Sequence, residues 1–117
     1  MMFLPLQTKV YLAVGSTDMR KSINGLSILV EDYLEIDPFC GHLFAFSNRR
    51  RNMIKILYWD RNGFCLWQKR LEKHSFKWPV FPEDVMEIDQ RELSWLLEGL
   101  DLGEIRAHEK LSYATLI

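Results

Sequence analysis

Two apolar, aromatic-rich runs, Met53 to Trp59 and Phe64 to Leu71, are separated only by Asp60-Arg61-Asn62-Gly63. Asn and Gly tolerate positive φ cheaply, so Asn-Gly between such runs is a strong hairpin signal that commits mid-chain to antiparallel strands. The register depends on loop length. With Asn62-Gly63 as a two-residue loop, Tyr58 faces Trp67. With Arg61-Asn62-Gly63 as a three-residue loop bulged at Gly63, Tyr58 faces Leu66. The second is preferred, because it gathers Ile54, Ile56, Tyr58, Phe64 and Leu66 on one apolar face. It leaves Lys55, Leu57, Trp59, Trp67 and Lys69 on the other, an aromatic and basic mixture. His42 to Ser47, alternating around Phe44 and Phe46, extends the hairpin into a meander.

A strand is predicted before it, from Lys9 to Val14, ending at Gly15. Ser16, Thr17 and Asp18 read as a helix start, and Met19, Ile23, Leu26, Val30 and Tyr33 fall on one helical face until Asp37-Pro38 stops it. Pro79 and Pro82 break the chain after Trp78. Asp89 then reads as the N-cap of a second helix, with Glu92 completing a capping box and Leu93, Leu96, Leu97 and Leu100 as its stripe. Glu104 to Ile117 reads as a loose tail. At 117 residues, 48 % of them hydrophobic, the chain can bury one core. The expectation is a single α+β domain over residues 1–117, with 104–117 as the tail. It comprises an antiparallel β-meander of about four strands, packed by an N-terminal helix and a shorter C-terminal one.

The formal net charge of −1 conceals segregation. Residues 1–48 carry three basic and five acidic side chains, and residues 79–117 carry three and nine. Residues 49–78 hold nine basic groups against Asp60 and Glu72. Such a distribution makes a local field that the total does not suggest. Either the middle is a surface for a polyanion, or middle and tail neutralise each other within the fold.

The polyanion reading rests on Arg49-Arg50-Arg51, flanked by Asn48 and Asn52 between two predicted strands and so expected at an exposed turn. Arginine's planar fork suits phosphate oxygens, and such contacts give salt-dependent affinity without reading sequence. Lys55, Arg61, Lys69, Arg70, Lys73 and Lys77 extend the set. Trp59, Trp67 and Trp78 either stack on bases or belong to the core. Arg20 and Lys21, expected in the first helical turn, form a second candidate contact, although a basic pair there opposes the helix dipole.

Other chemistry finds little support. Cys40 and His42 are two apart, but no second pair at ligand spacing exists, so neither metal nor cofactor is expected. Both cysteines, Cys40 and Cys65, read as small buried hydrophobes, and no nucleophile elbow or phosphate-cradling glycine loop occurs. Asp18, Asp37 and Asp60, weighed as carboxylates for paired metals, read instead as a helix start, a pre-proline stop and a turn. No catalytic residue is expected. Two cysteines point to a reducing cytoplasm, no apolar run approaches a membrane span, and Met1 to Leu6 is too short and interrupted for a signal peptide.

Several motifs, in order and spacing, resemble one family. They are Gly15-Ser16-Thr17-Asp18-Met19-Arg20-Lys21 with Gly25-Leu26, Asp37-Pro38-Phe39-Cys40-Gly41-His42-Leu43-Phe44, Lys55-Ile56-Leu57-Tyr58-Trp59-Asp60, Lys69-Arg70-Leu71-Glu72, Phe76-Lys77-Trp78-Pro79 and Leu96-Leu97-Glu98-Gly99-Leu100-Asp101. Together they resemble the TnpB accessory proteins, the second open reading frame of insertion sequence 66-type elements, distinct from the RNA-guided nucleases sharing that label. Ser22 and Asn24 stand where Gly and Asp are expected, and Leu102 where a Trp is usual. The resemblance implies a small bacterial protein needed for transposition beside a separate, larger transposase that holds the strand-transfer chemistry. The expected function is a non-catalytic accessory factor binding DNA at the element ends through the basic surface. The rival is an adaptor that docks the transposase through the acidic Glu83 to Glu109 region or the aromatic face, without touching DNA.

Overall fold

The computed structural model describes residues 7–115, with side chains through Glu109. Strands β1 (Val10–Ser16), β2 (Leu43–Ser47), β3 (Met53–Asp60), β4 (Gly63–Arg70) and β5 (Val85–Ile88) join helices α1 (Ile23–Asp32), α2 (Gln90–Leu97) and α3 (Leu102–Thr115). The sheet order is β4-β3-β2-β1-β5. β2, β3 and β4 form the expected meander, but β1 runs parallel to β2, with Val10 opposite Leu43 and Leu12 opposite Ala45. On its other side β1 pairs antiparallel with β5, Val10 opposite Ile88. The fold is therefore α+β with a mixed five-stranded sheet and three helices, which corrects the expectation of a four-stranded antiparallel meander. The connection 17–42 carries α1, and a helix-bearing crossover of more than about a dozen residues lets a strand return parallel. β5 escaped the sequence reading because it has only two inward positions, Met86 and Ile88.

The β3–β4 register matches neither predicted alternative. Asp60 pairs with Gly63, so Arg61 and Asn62 alone form the loop and Tyr58 faces Cys65. Arg61 takes the positive φ (51°), while Gly63 serves as the last rung of the ladder. The shift changes the faces of β4. Ile54, Ile56 and Tyr58 share a face with Cys65 and Trp67, whereas Leu57 and Trp59 oppose Leu66 and Phe64. The mixed face predicted to join Lys55 and Trp59 with Trp67 and Lys69 does not form.

Both faces of the sheet are covered, as parallel pairing requires. Leu26 and Val30 of α1, with Leu34, pack against Ala13, Phe44, Phe46 and Leu57 on one face. On the other, Val10, Leu12, Ala45, Ile54 and Ile56 meet Phe76, Trp78, Leu93 and Leu96. Hence β2, Leu-Phe-Ala-Phe-Ser, is buried at every position. Each fully buried Leu or Phe contributes about 1.5–3 kcal/mol.

α1 begins later than its sequence signal. Its N-cap is Ser22, whose side chain makes no capping bond, and it ends at Asp32, short of Asp37-Pro38. β1 instead continues through Gly15 to Ser16, and the Thr17 N–H donates to the Ser47 carbonyl. α2 starts as its sequence requires, with the reciprocal capping box between Asp89 and Glu92. Residues 104–115 are helical within α3, which buries Leu102 at its start and holds Arg106 Nε 2.6 Å from Glu92 Oε2. Residues 116–117 of the expected tail lie outside the described residues, as does the expectation for Met1 to Leu6. No helix among the described residues is long and apolar enough to cross a membrane.

Candidate nucleic-acid interface

The pairing directions place the C-terminal ends of β1, β2 and β4 and the N-terminal end of β3 at one end of the sheet. Three loops converge there: 17–22, 48–52 and 71–84. In α/β sheets the carboxyl ends of parallel strands are where ligands commonly sit.

The turn between β2 and β3 is built by its asparagines. Asn48 Oδ1 accepts from the N–H groups of Asn52 and Met53, each at 3.1 Å, and Asn48 Nδ2 donates to Asn52 Oδ1 at 2.6 Å. The Arg51 N–H closes the turn on the Asn48 carbonyl, with Arg51 at φ 59°. Arg49 and Arg50 are thereby left at the exposed central positions.

Arg51 turns inward. Its Nη2 donates to the Val14 carbonyl at 3.1 Å, and its guanidinium carbon lies 5.7 Å from the centroid of the Trp78 ring. Burial pulls its pKa below the usual arginine value. Lys55 is also withdrawn, at 8 % exposure, with Nζ donating to the carbonyls of Met19 (2.7 Å) and Lys21 (2.9 Å). It staples the 17–22 loop to the sheet. Alternation along β3 puts Lys55 opposite the Ile54 and Ile56 face, but that side lies under α1, so its cation meets carbonyls instead of water.

The chain after β4 folds back over the same turn. The Leu71 N–H donates to the Asn52 carbonyl and the Phe76 N–H to the Arg51 carbonyl. A groove of about 560 Å³ opens between this segment and the end of α2, lined by Lys69, Lys73, His74, Ser75, Lys77 and Glu98, among others. Lys69 Nζ donates to the Leu97 carbonyl at 3.3 Å, where a cation suits the negative end of a helix. Lys73 and Lys77 are exposed, and neither forms an ion pair among the described residues. His74 and Ser75 were not singled out from sequence; their position between two candidate lysines was the available signal.

Arg20 and Lys21 reach this end by a different route. They precede α1 instead of occupying its first turn, because Asp18 organises a local turn by accepting from the Arg20 N–H and guanidinium, the shortest at 2.7 Å. The Arg20 hydrogen bonds hold the Asp18 carboxyl down at about 2. Arg70 similarly pairs with Glu72 at 3.2 Å. Both pairs are exposed, and such pairs are worth only about 0–1 kcal/mol, so both guanidinium groups remain recruitable. Arg61 lies apart, exposed at the opposite end of the hairpin.

All nine carboxylates of residues 79–117 are among the described residues, yet none makes an ion pair with residues 49–78. Glu92 pairs with Arg106 and Glu87 with Lys9, both outside the basic segment. Among the described residues, no ion pair joins the middle of the chain to its tail. The tryptophans are engaged elsewhere: Trp78 is buried with its N–H on the Ala13 carbonyl, Trp67 packs on the core, and Trp59 stacks edge-on with Phe39 and Phe64 at the far end. His42 Nδ1 accepts the Lys9 N–H, and no cluster of three His, Cys, Asp or Glu suited to a metal occurs among the described residues. Neither cysteine is buried as expected: Cys40, in the turn after Asp37-Pro38, is exposed, and Cys65 is half-buried on β4.

A family model described as IS66 Orf2 like protein matches residues 8–107. Two relatives come from Sinorhizobium fredii (strain NBRC 101917 / NGR234). One, described as uncharacterized protein y4hO, is 37 % identical over 93 residues, covering 80 % of this chain and 81 % of its own. The other, uncharacterized protein y4jC, is 33 % identical over 98 residues, covering 84 % of each. No solved structure matches the chain.

Proposed function

The chain belongs to the IS66 Orf2-like family, which implies an accessory role in transposition, and from that premise we propose that it is a non-catalytic factor gripping DNA by its basic end. Arg49, Arg50, Lys73 and Lys77 make the primary phosphate contacts. Arg20, Lys21, Lys69 and Arg70 extend the band, while Arg51 and Lys55 hold the loops that display it. The sheet from β1 to β4 spans roughly 14 Å at about 4.8 Å per strand, enough to meet several phosphates. Strand transfer is left to the transposase, and the element ends are the DNA to be held.

The observation carrying this reading is that, among the described residues, no side-chain carboxylate from 79–117 forms an ion pair with the basic segment. Counterions cover these cations in the free protein, and their release drives binding. Fluorescence-anisotropy titrations against element-end and scrambled duplexes at several salt concentrations test it. Log affinity is expected to fall linearly with log salt, and Arg49→Ala with Arg50→Ala to lower the slope by up to about 1.8. The adaptor reading draws on Phe39, 54 % exposed against Trp59 and Phe64, and on the acidic 83–109 region. Absence of binding at low salt, with co-purification of the transposase, establishes the adaptor instead.

A further inference from the structure

Beyond phosphate contact, we propose that the Pro79-Val80-Phe81-Pro82 loop is a wedge that enters between base pairs of the bound duplex and kinks it; this rests on the DNA-binding reading. The loop leaves the sheet at Trp78, whose Nε1–H donates to the Ala13 carbonyl at 3.1 Å. It returns at Asp84, whose carbonyl accepts the Val14 N–H at 2.9 Å. Both anchors sit beside the C-terminal half of β1, so residues 79–83 project from the end of the sheet that carries the basic loops. Val80 at the tip is 99 % exposed and Phe81 37 %.

A lone exposed valine is unremarkable, but this one differs in its surroundings. Pro79 and Pro82 preset φ, so the loop loses little conformational entropy on insertion. Lys77 precedes it, and Arg51 stacked on Trp78 links its base to the Arg49-Arg50 turn. Glu83 is exposed beside it and Asp84 accepts from the Tyr33 hydroxyl at 3.1 Å, so cations flank one side of the loop and carboxylates its return. Apolar residues presented amid cations are the means by which architectural proteins unstack a base step, bending DNA by roughly 20–90°. Duplex is favoured over single strand because Trp59, Trp67 and Trp78, the side chains offered as stacking platforms for unpaired bases, are committed elsewhere.

The test is energy transfer between dyes at the two ends of a duplex of about 30 bp, read in the saturated complex. Wild type is expected to raise transfer. Val80→Ser with Phe81→Ser should abolish the rise while affinity stays within about tenfold, since lost contacts and the avoided bending cost offset each other. Val80→Leu should retain the bend, and an unchanged thermal melt verifies that each variant folds. A straight duplex in the wild-type complex, or an equal bend with the double variant, overturns the wedge and leaves DNA binding standing. Transposase capture lost in the double variant with the bend unchanged makes the loop a protein contact and also overturns it. If wild type binds no duplex at low salt, both readings fall.

Discussion

The two ends of the sheet carry similar residue types arranged to opposite effect. At the end where β1 begins and β5 finishes, two of the cations are held by carboxylates: Lys9 Nζ lies 3.6 Å from Glu87 Oε1, and Arg106 is bound to Glu92, which also completes the capping box of α2. At the other end the cations outnumber their partners, and those held internally are held by carbonyls, as with Arg51 and Lys55. A carbonyl neutralises no charge. One end stabilises the fold by pairing, and the other keeps its field directed outward.

Removing charge from each end separates them most sharply. Alanine at Arg49, Arg50, Lys73 and Lys77 together should weaken duplex binding on the order of 10³-fold at about 0.1 M salt, whereas alanine at Lys9, Arg61 and Arg106 should cost less than about threefold. Equal losses in the same titration would dissolve the distinction. A smaller effect tests neighbours within the basic end. Lys55→Met strands two carbonyls and should cost about 1–3 kcal/mol in urea unfolding, and Arg51→Ala a similar amount, while Arg50→Ala should stay within about 0.5 kcal/mol. The slightest effect is acid loosening of the 17–22 loop. The Asp18 carboxyl titrates at about 2 in the fold against an ordinary 3.8, so its contribution is present above pH 4 and lost as pH falls through 2. The amide shift of Arg20 should follow that window by NMR, and a midpoint near 3.8 would show the Asp18–Arg20 contact to be absent in solution.

Local signals in the sequence were legible. The Asp89–Glu92 capping box needs only four residues, and the amphipathic run through Leu26 and Val30 marked the buried face of α1. What failed was non-local. Whether β1 returns parallel or antiparallel depends on how α1 packs across the sheet, and a one-residue change in the β3–β4 loop moved Trp67 to the opposite face. The concentration of basic residues in 49–78 was legible, but not their separate fates. Arg50 and Arg51 are identical neighbours, and only the positive φ of Arg51, with Val14 and Trp78 within reach, turns one inward. The association of Arg20 and Lys21 with the same end required the crossover topology.

The central place of β1 bears on how the chain is made. Its seven residues join β2 across one edge and β5, more than 70 positions later, across the other. During synthesis the β2–β3–β4 hairpins can form from neighbours in sequence, and β1 can dock on them, but its outer edge has no partner until Val85–Ile88 leaves the ribosome. Until then Val10–Ser16 is an open apolar border, the kind that recruits other chains. The late-arriving β5, four residues long, acts as the seal, and its loss would be felt first as insolubility during translation.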